Sequence, residues 1–320
     1  MIPVYATSGS GGMEVYMEGY SRRNSKIARE MPLHLMLLPA LVLLFIFAYV
    51  PMFGIIIGFE KYTPARGILG SEWIGFGNFK YLVNLPGTFQ VLFNTVYIAL
   101  MKIIAGIVVP IIFALLLNEV GSQQFKRTVQ TIIYLPYFLS WIILAGILID
   151  ILSPSQGIVN HVIASLGMEP VFFLGSEKWF PYIMVISDVW KNFGFGTIVY
   201  LASLTSIDPT YYEAAVIDGA GRWKQTWYVT LPGMLPIVML MSTLSLGNIL
   251  NAGFDQIFNL YSPSVYSTGD IIDTMIYRIG MVDAQFGVAT AVGLFRSVVS
   301  FIFVTLSYKL AYKYAGYRVF

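Results

Sequence analysis

Six stretches of this chain are too long and too apolar for a water-soluble fold: 35–59, 89–117, 131–152, 181–204, 233–257 and 286–312. A helix needs about 20 apolar residues to cross the hydrocarbon core of a bilayer, and each stretch reaches that length. Inside a bilayer every backbone N–H and C=O must find a partner within the protein, which restricts such runs to α-helices. Composition agrees, because only 11% of the residues are charged where a soluble domain carries about 25%. The expectation is an all-α polytopic membrane protein with six transmembrane helices. Pro51, Pro110, Pro136, Gly194 and Gly196 fall inside these runs, where membrane helices tolerate them; the two glycines read as close-packing sites. The chain has no cysteine, so disulfides and thiolate metal sites are excluded. Its two histidines, His34 and His161, stand too far apart in sequence to suggest a metal cluster.

Orientation follows from the lysines and arginines between the spans. Arg22, Arg23, Lys26 and Arg29 precede the first span, and Lys126 and Arg127 follow the second. Arg222 and Lys224 lie between the fourth and fifth, while Lys309, Lys313 and Arg318 mark the carboxyl end. The opposite connections hold Lys61, Arg66, Lys80, Lys178 and Arg278 over many more residues. This bias places both termini in the cytoplasm. Trp73 and Trp179 in the outward loops suit the membrane interface. Residues 1–30 read as a disordered cytoplasmic tail and 31–320 as the membrane domain. The first span lacks a small-residue cleavage site, so it reads as an uncleaved anchor.

One connection is unlike the rest: "DPTYYEAAVIDGAGRWKQTWYVTLPGMLP", residues 208–236. Asp208 before Pro209 is a helix start, a carboxylate cap followed by proline in the first turn. Glu213, Ala214 and Ala215 follow in a short helix whose small side chains permit close approach by another surface. Gly219 and Gly221 end or bend it. A second short helix carries Trp223 and Trp227 on one face, and Thr230 and Pro232 lead into the fifth span. The spacing predicts a small helical bracket on the cytoplasmic face.

Glu213-Ala214-Ala215, three residues, Gly219, nine residues, Val229, one residue, Leu231-Pro232 resembles the EAA loop of bacterial ABC importer permeases. The likeness extends from about residue 30 to the end. "MLLPALVLLFIFAYVPMFGIIIGF", "FALLLNEV", "TIIYLPYFLSW" and "VISDVWKNFGFGTIVYLASL" are similar to the carbohydrate permeases that import polysaccharide-derived oligosaccharides. The resemblance implies the type I ABC importer permease fold, with a cytoplasmic coupling loop at about 206–232. It implies that Glu213, Ala214, Ala215, Asp218, Gly219 and Ala220 dock in a cleft of an ATPase subunit. It further implies a homologous second permease, two ATPase subunits, an extracytoplasmic solute-binding protein and an oligosaccharide substrate, in a bacterial cytoplasmic (inner) membrane. One departure is Arg296 in "LFRS", where the family resemblance leads to a neutral or lysine side chain.

Ionisable residues at membrane depth are functional candidates by default. Here they are Lys102, Asp188, Lys191, Asp255 and Arg296. Asn248, Asn251, Asp255 and Asn259 recur at helical spacing, one face of the fifth span, and either line a water-filled path or bind a neighbouring helix. In the fourth span Asp188 and Lys191 either neutralise each other or join Trp190 and Asn192 in meeting sugar hydroxyls and ring faces. Arg296 is expected to answer Asp255, and Lys102 to snorkel to an interface. A guanidinium lining the cavity would suit a carboxylate, which points to an acidic uronate oligosaccharide such as those from alginate or pectin.

Catalytic patterns are absent from the sequence: there is no GxxxxGK[ST] phosphate loop, no HExxH and no GxSxG. ATP and Mg²⁺ are therefore expected on partner ATPase subunits, with no cofactor in this chain and no nucleic-acid partner. The competing reading is a secondary transporter driven by an ion gradient through Asp188, Asp255 or Arg296. Such a carrier usually shows paired repeats with interrupted helices, and no half-to-half symmetry is evident.

Overall fold

The computed structural model describes residues 30–315; the amino-terminal tail before Glu30 and the end around Arg318 lie outside that range. The chain separates into two compact units, Met1–Ile56 and Ile57–Phe320. The described part of the first is most of helix α1, Glu30–Phe59. A π-helical turn at Phe45–Tyr49 precedes Pro51, and the helix tightens to 3₁₀ geometry over Val50–Phe59.

The second unit opens with a two-stranded antiparallel ribbon, β1 (Glu60–Lys61) and β2 (Glu72–Trp73), in which Glu60 pairs with Trp73. Helices α2 (Gly77–Asn84) and α3 (Thr88–Glu119) follow. Then come α4 (Gln123–Tyr134), α5 (Trp141–Ile151), α6 (Ile158–Ser165) and α7 (Phe180–Thr205). The remainder is α8 (Pro209–Ile217), α9 (Arg222–Gly247), α10 (Phe254–Leu260), α11 (Ile272–Tyr277) and α12 (Phe286–Ala315). The ribbon apart, the described chain is essentially helical, as its composition demands.

Among the described residues, four helices, α1, α3, α9 and α12, are long and apolar enough to cross a membrane. A fifth span forms if α4 and α5 count as one, with a bend of 103° between Phe138 and Trp141. Helix α7 has 26 residues, but Ser187, Asp188, Lys191 and Asn192 make its middle polar. Two of the six expected uninterrupted spans are thus corrected. The stretch 131–152 breaks after Pro136, and Ser140 starts a new helix by accepting the N–H of Ile143. The stretch 233–257 breaks between Gly247 and Phe254, where Gly253 adopts φ +93°.

A broken helix at membrane depth leaves carbonyls without intrahelical partners, and water cannot supply the missing donors. Two lysines do. Lys191 Nζ donates to the carbonyls of Pro136, Tyr137 (2.8 Å) and Leu139 at the first break, and lies over the rings of Tyr137 and Trp141. Lys102 Nζ donates to the carbonyl of Ala252 at 2.7 Å and to Gln256 Oε1 at the second, with Asp188 at 3.7 Å as counter-ion. Gln256 Nε2 in turn donates to Met184 O and Ser187 Oγ, both at 2.8 Å. Lys102 therefore does not snorkel, and Asp188 pairs with Lys102 on a neighbouring helix.

Apolar packing surrounds these polar joints. Helix α3 lies along α7, with Phe113 against Phe193 at 4.6 Å between ring centroids. Above the Lys102 cluster, Ile98, Phe180, Met184, Ile257 and Ile271 form a buried core; towards the other end Ala114, Tyr200, Leu204 and Met234 form another. Gly194 carries the closest approach, since a Cβ there would stand 2.1 Å from the Ile133 carbonyl oxygen.

Two predictions follow from this packing. Gly194→Ala must displace α4 from α7 and cost about 1–3 kcal/mol, while Gly106→Ala, where a Cβ meets nothing within 4 Å, should be neutral; thermal unfolding of the purified complex compares them. Lys102→Met leaves Asp188, Gln256 and the Ala252 carbonyl without their cation, at a cost of about 3–5 kcal/mol. Adding Asp188→Asn should restore part of that loss, and a double variant no more stable than the single one would remove the ion pair from the account.

Candidate functional site

The stretch 208–236 folds as the bracket its residues predict. Asp208 caps α8 by accepting the N–H of Thr210 at 2.9 Å, and this backbone bond holds its carboxyl below the usual carboxylate range. The helix ends where Gly219 takes φ +74°, which lets the Ala220 N–H reach back to the Ala215 carbonyl at 2.8 Å. Gln225 Nε2 donates to the Ala220 carbonyl at 2.8 Å, and the hydroxyls of Tyr212 and Thr230 lie 3.0 Å apart. These bonds tie α8 to the first turns of α9. Arg222 pairs with Glu119 at the end of α3, so the bracket sits at the α3–α4 end of the second unit.

No residue of α8 is buried. Glu213, Ala214, Asp218 and Gly219 are exposed, with Ala215 and Ala220 half-buried. Around Glu213, Tyr211, Val216 and Ile217 expose 64%, 62% and 85% of their surface. A helix with a carboxylate, small side chains and bare aliphatic groups on its free faces is shaped to be covered.

The interior candidates divide in two. Lys102, Lys191 and Arg296 are engaged: the first two hold the broken helices, and Arg296 pairs with Asp273 of α11, not with Asp255 as the sequence suggests. Asp188 and Lys191 do not hold each other as a simple intrahelical pair, since each finds its closest partners on other elements. The others face outward from this chain. Trp190 is 45% exposed, Asn192 half-buried, and Asn248, Asn251 and Asp255 exposed. The latter three do not share one helical face, because the break at 248–253 separates them: Asn248 caps α9, Asn251 lies in the connection and Asp255 in the first turn of α10. The structure nonetheless brings this connection to α7 through Lys102 and Gln256, so Asp188 and the exposed asparagines occupy neighbouring elements.

The sequence does not single out Gln256, Ser187, Asp273 or Tyr212, and it presents Thr230 only as the lead into the fifth span, not as the partner of Tyr212. Gln256 carried a signal, an uncharged polar residue in the otherwise apolar "FDQIFNL". Asp273 carried none, because its partner is 23 residues away across a turn.

Comparison with known proteins bears directly on this arrangement. Residues 106–314 match the family described as binding-protein-dependent transport system inner membrane component. The chain is 39% identical over 289 residues to the polygalacturonan/rhamnogalacturonan transport system permease protein YteP of Bacillus subtilis, covering 90% of both chains. It is 39% identical over 278 residues to protein LplB of the same organism, covering 87% of each. Among solved structures, it superposes on a chain of a bacterial ABC transporter involved in import of the acidic polysaccharide alginate with a TM-score of 0.84. That match has 38% identity and covers 92% of this chain and 99% of the other. A second alginate ABC transporter structure, in complex with an alginate pentasaccharide-bound periplasmic protein, matches with TM-score 0.82 and 38% identity, covering 90% and 96%. With an exposed EAA bracket at one end and a helical membrane body matched over most of its length, this chain belongs to the binding-protein-dependent inner-membrane components, the permeases of ABC importers.

Proposed function

We propose that this chain forms, with a homologous second permease, the translocation path of an ATP-driven importer of acidic oligosaccharides. The observation that carries the reading is α8: a nine-residue helix with no buried residue, bonded to the foot of the long helix α9 and bare on its other faces. Such an element suits docking in a cleft of an ATPase subunit. Two such subunits would bind ATP and Mg²⁺, leaving this chain a non-catalytic part of the machine.

The full topology belongs to the same proposal. Residues 31–320 form the permease domain, its six spans include the broken stretches 131–152 and 233–257, and both termini and the loop at 206–232 face the cytoplasm of a bacterial inner membrane. Lysine and arginine asymmetry supports this orientation. A solute-binding protein would then deliver substrate to the opposite end. Asp188, Trp190, Asn192, Asn248, Asn251 and Asp255 would line the path, where aromatic faces and amide groups suit sugars. Lys191 and Arg296 contribute by holding that wall in place.

Support for a uronate substrate comes from the relatives. One matched chain carries a polygalacturonan/rhamnogalacturonan designation, and a matched structure belongs to an alginate importer. Arg296 loses the part of free carboxylate receptor, because Asp273 occupies it. The recognising cation would then come from another chain of the complex. An ion-gradient carrier has less support, since Lys102, Lys191, Asp188 and Arg296 all have partners within the fold.

Reconstituted vesicles test the proposal. ATP-dependent uptake should favour uronate oligosaccharides over neutral ones of equal length and require added ATPase subunits. Glu213→Ala should cut uptake about tenfold or more, the effect of losing a charge-assisted hydrogen bond of about 1.5 kcal/mol. Gly219→Val forces a β-branched side chain onto a φ of +74°, which disturbs the end of α8, and should also lower uptake. Neither variant should weaken substrate delivery. Unchanged uptake in both variants would remove the docking role. Cysteines introduced for Asn251 and Asp255 in this cysteine-free chain should react with hydrophilic maleimides in the assembled complex. A cysteine for Leu250, which is 1% exposed, should be protected; equal protection of all three would mean that the break is packed against another helix.

A further inference from the structure

At the bracket end of the second unit, a cleft of about 680 Å³ opens between α3 and the first turns of α9. Its wall on α3 is apolar: Val108, Ile112 and Leu116 repeat every fourth residue and stand 47%, 49% and 60% exposed. Its opposite side is built from Trp223 and Trp227, whose rings meet edge to face with centroids 6.2 Å apart and which are 74% and 54% exposed. Arg222 closes the mouth, paired with Glu119 but with 82% of its side chain exposed. Lys224 lies in the same turn, just beyond the residues that line the cleft, and no hydrogen bond or ion pair engages it among the described residues.

Three features stack along α3 in a fixed order: an apolar row, then an aromatic pair, then a cationic rim. From Val108 to Glu119 the helix rises about 16 Å at 1.5 Å per residue, close to the roughly 15 Å that one leaflet contributes to a 30 Å hydrocarbon core. Tryptophan settles at the headgroup level, and basic residues just beyond it attract anionic headgroups. A guanidinium has five N–H donors, so Arg222 can keep Glu119 and still bind a phosphate oxygen. Of the nearby carboxylates, Glu119 lines the cleft with its charge met by Arg222, while Glu213 and Asp218 of α8 do not line it.

We propose that this cleft is a binding site for one anionic phospholipid of the cytoplasmic leaflet, its acyl chain on the Val108–Leu116 row and its phosphate at Arg222 and Lys224. The site lies beside the bracket, so the lipid braces the joint between α3 and α9. The choice of leaflet rests on the orientation proposed above; the site itself does not.

The test uses the assembled complex in nanodiscs containing phosphatidylglycerol or phosphatidylcholine probes with a photoreactive group on the acyl chain. The phosphatidylglycerol probe should label the α3 segment 108–116 preferentially. Arg222→Gln and Lys224→Gln should each reduce that labelling about fivefold, the factor that about 1 kcal/mol per basic residue represents. Leu116→Trp, which fills the cleft while keeping both cations, should abolish it. Equal labelling by both probes, or labelling indifferent to these variants, would mean ordinary annular lipid and overturn the proposal. So would a disulfide between a cysteine at Leu116 and the second permease, which would put a protein helix in the cleft. Reaction of a cysteine replacing Lys224 with an impermeant maleimide in inside-out but not right-side-out vesicles checks the leaflet separately.

Discussion

The ammonium of Lys102 is the hinge pin of the membrane body. The fifth apolar stretch cannot run straight through, because the chain turns at Gly253, and the turn strands the carbonyl of Ala252, a wholly buried residue. Lys102 meets that carbonyl, reaches Gln256 in the next helix, and draws its own counter-charge from Asp188 on a third element. Gly253 is the geometric condition for this: its φ is +93°, and a Cβ there would stand 3.0 Å from the lysine nitrogen. The same solution recurs at the other break, where Lys191 covers the carbonyls exposed after Pro136. In both places a cation that looks expensive in a membrane span is compensated by the carbonyls it satisfies, which would otherwise stand unpaired in hydrocarbon.

This changes the meaning of the intramembrane charges. Read singly, each is a candidate contact for substrate or ion. Read with their partners, the cations are internal donors to broken helices or, for Arg296, one half of a pair that joins α12 to α11. The remaining candidates are mostly uncharged and amide-bearing, and Asn248, Asn251 and Asp255 lie at the break that Lys102 maintains. A path for a sugar needs such groups held at fixed positions more than it needs free charge.

The mechanical continuity is also plain. Helix α8 is bonded to the start of α9 through the Tyr212–Thr230 and Gln225–Ala220 contacts, and α9 runs unbroken from Arg222 to Gly247. Its far end is the break itself. Helix α9 thus links α8 directly to the connection carrying Asn248 and Asn251, and α3 holds that same connection through Lys102.

By itself the sequence determined the class of fold, the position of the bracket and its caps, and the family. These rest on local chemistry: run length against bilayer thickness, Asp208 before Pro209, and a glycine where a left-handed residue was needed. It also marked Gly194 as a packing site. Only the tertiary structure decided where spans break and which charge meets which. Asn248, Asn251, Asp255 and Asn259 keep perfect helical spacing, yet spacing assigns a common face only if the helix is continuous, and the signal of the break was no more than the flanking Gly247 and Gly253 in "GNILNAGF". Asp188 and Lys191 are three residues apart, so a local reading pairs them. Their actual partners are the side chain of Lys102, 86 positions away, and carbonyls around Tyr137, contacts created by packing α3, α4 and α7 side by side. Ion pairing at membrane depth follows proximity in space, which local sequence does not encode.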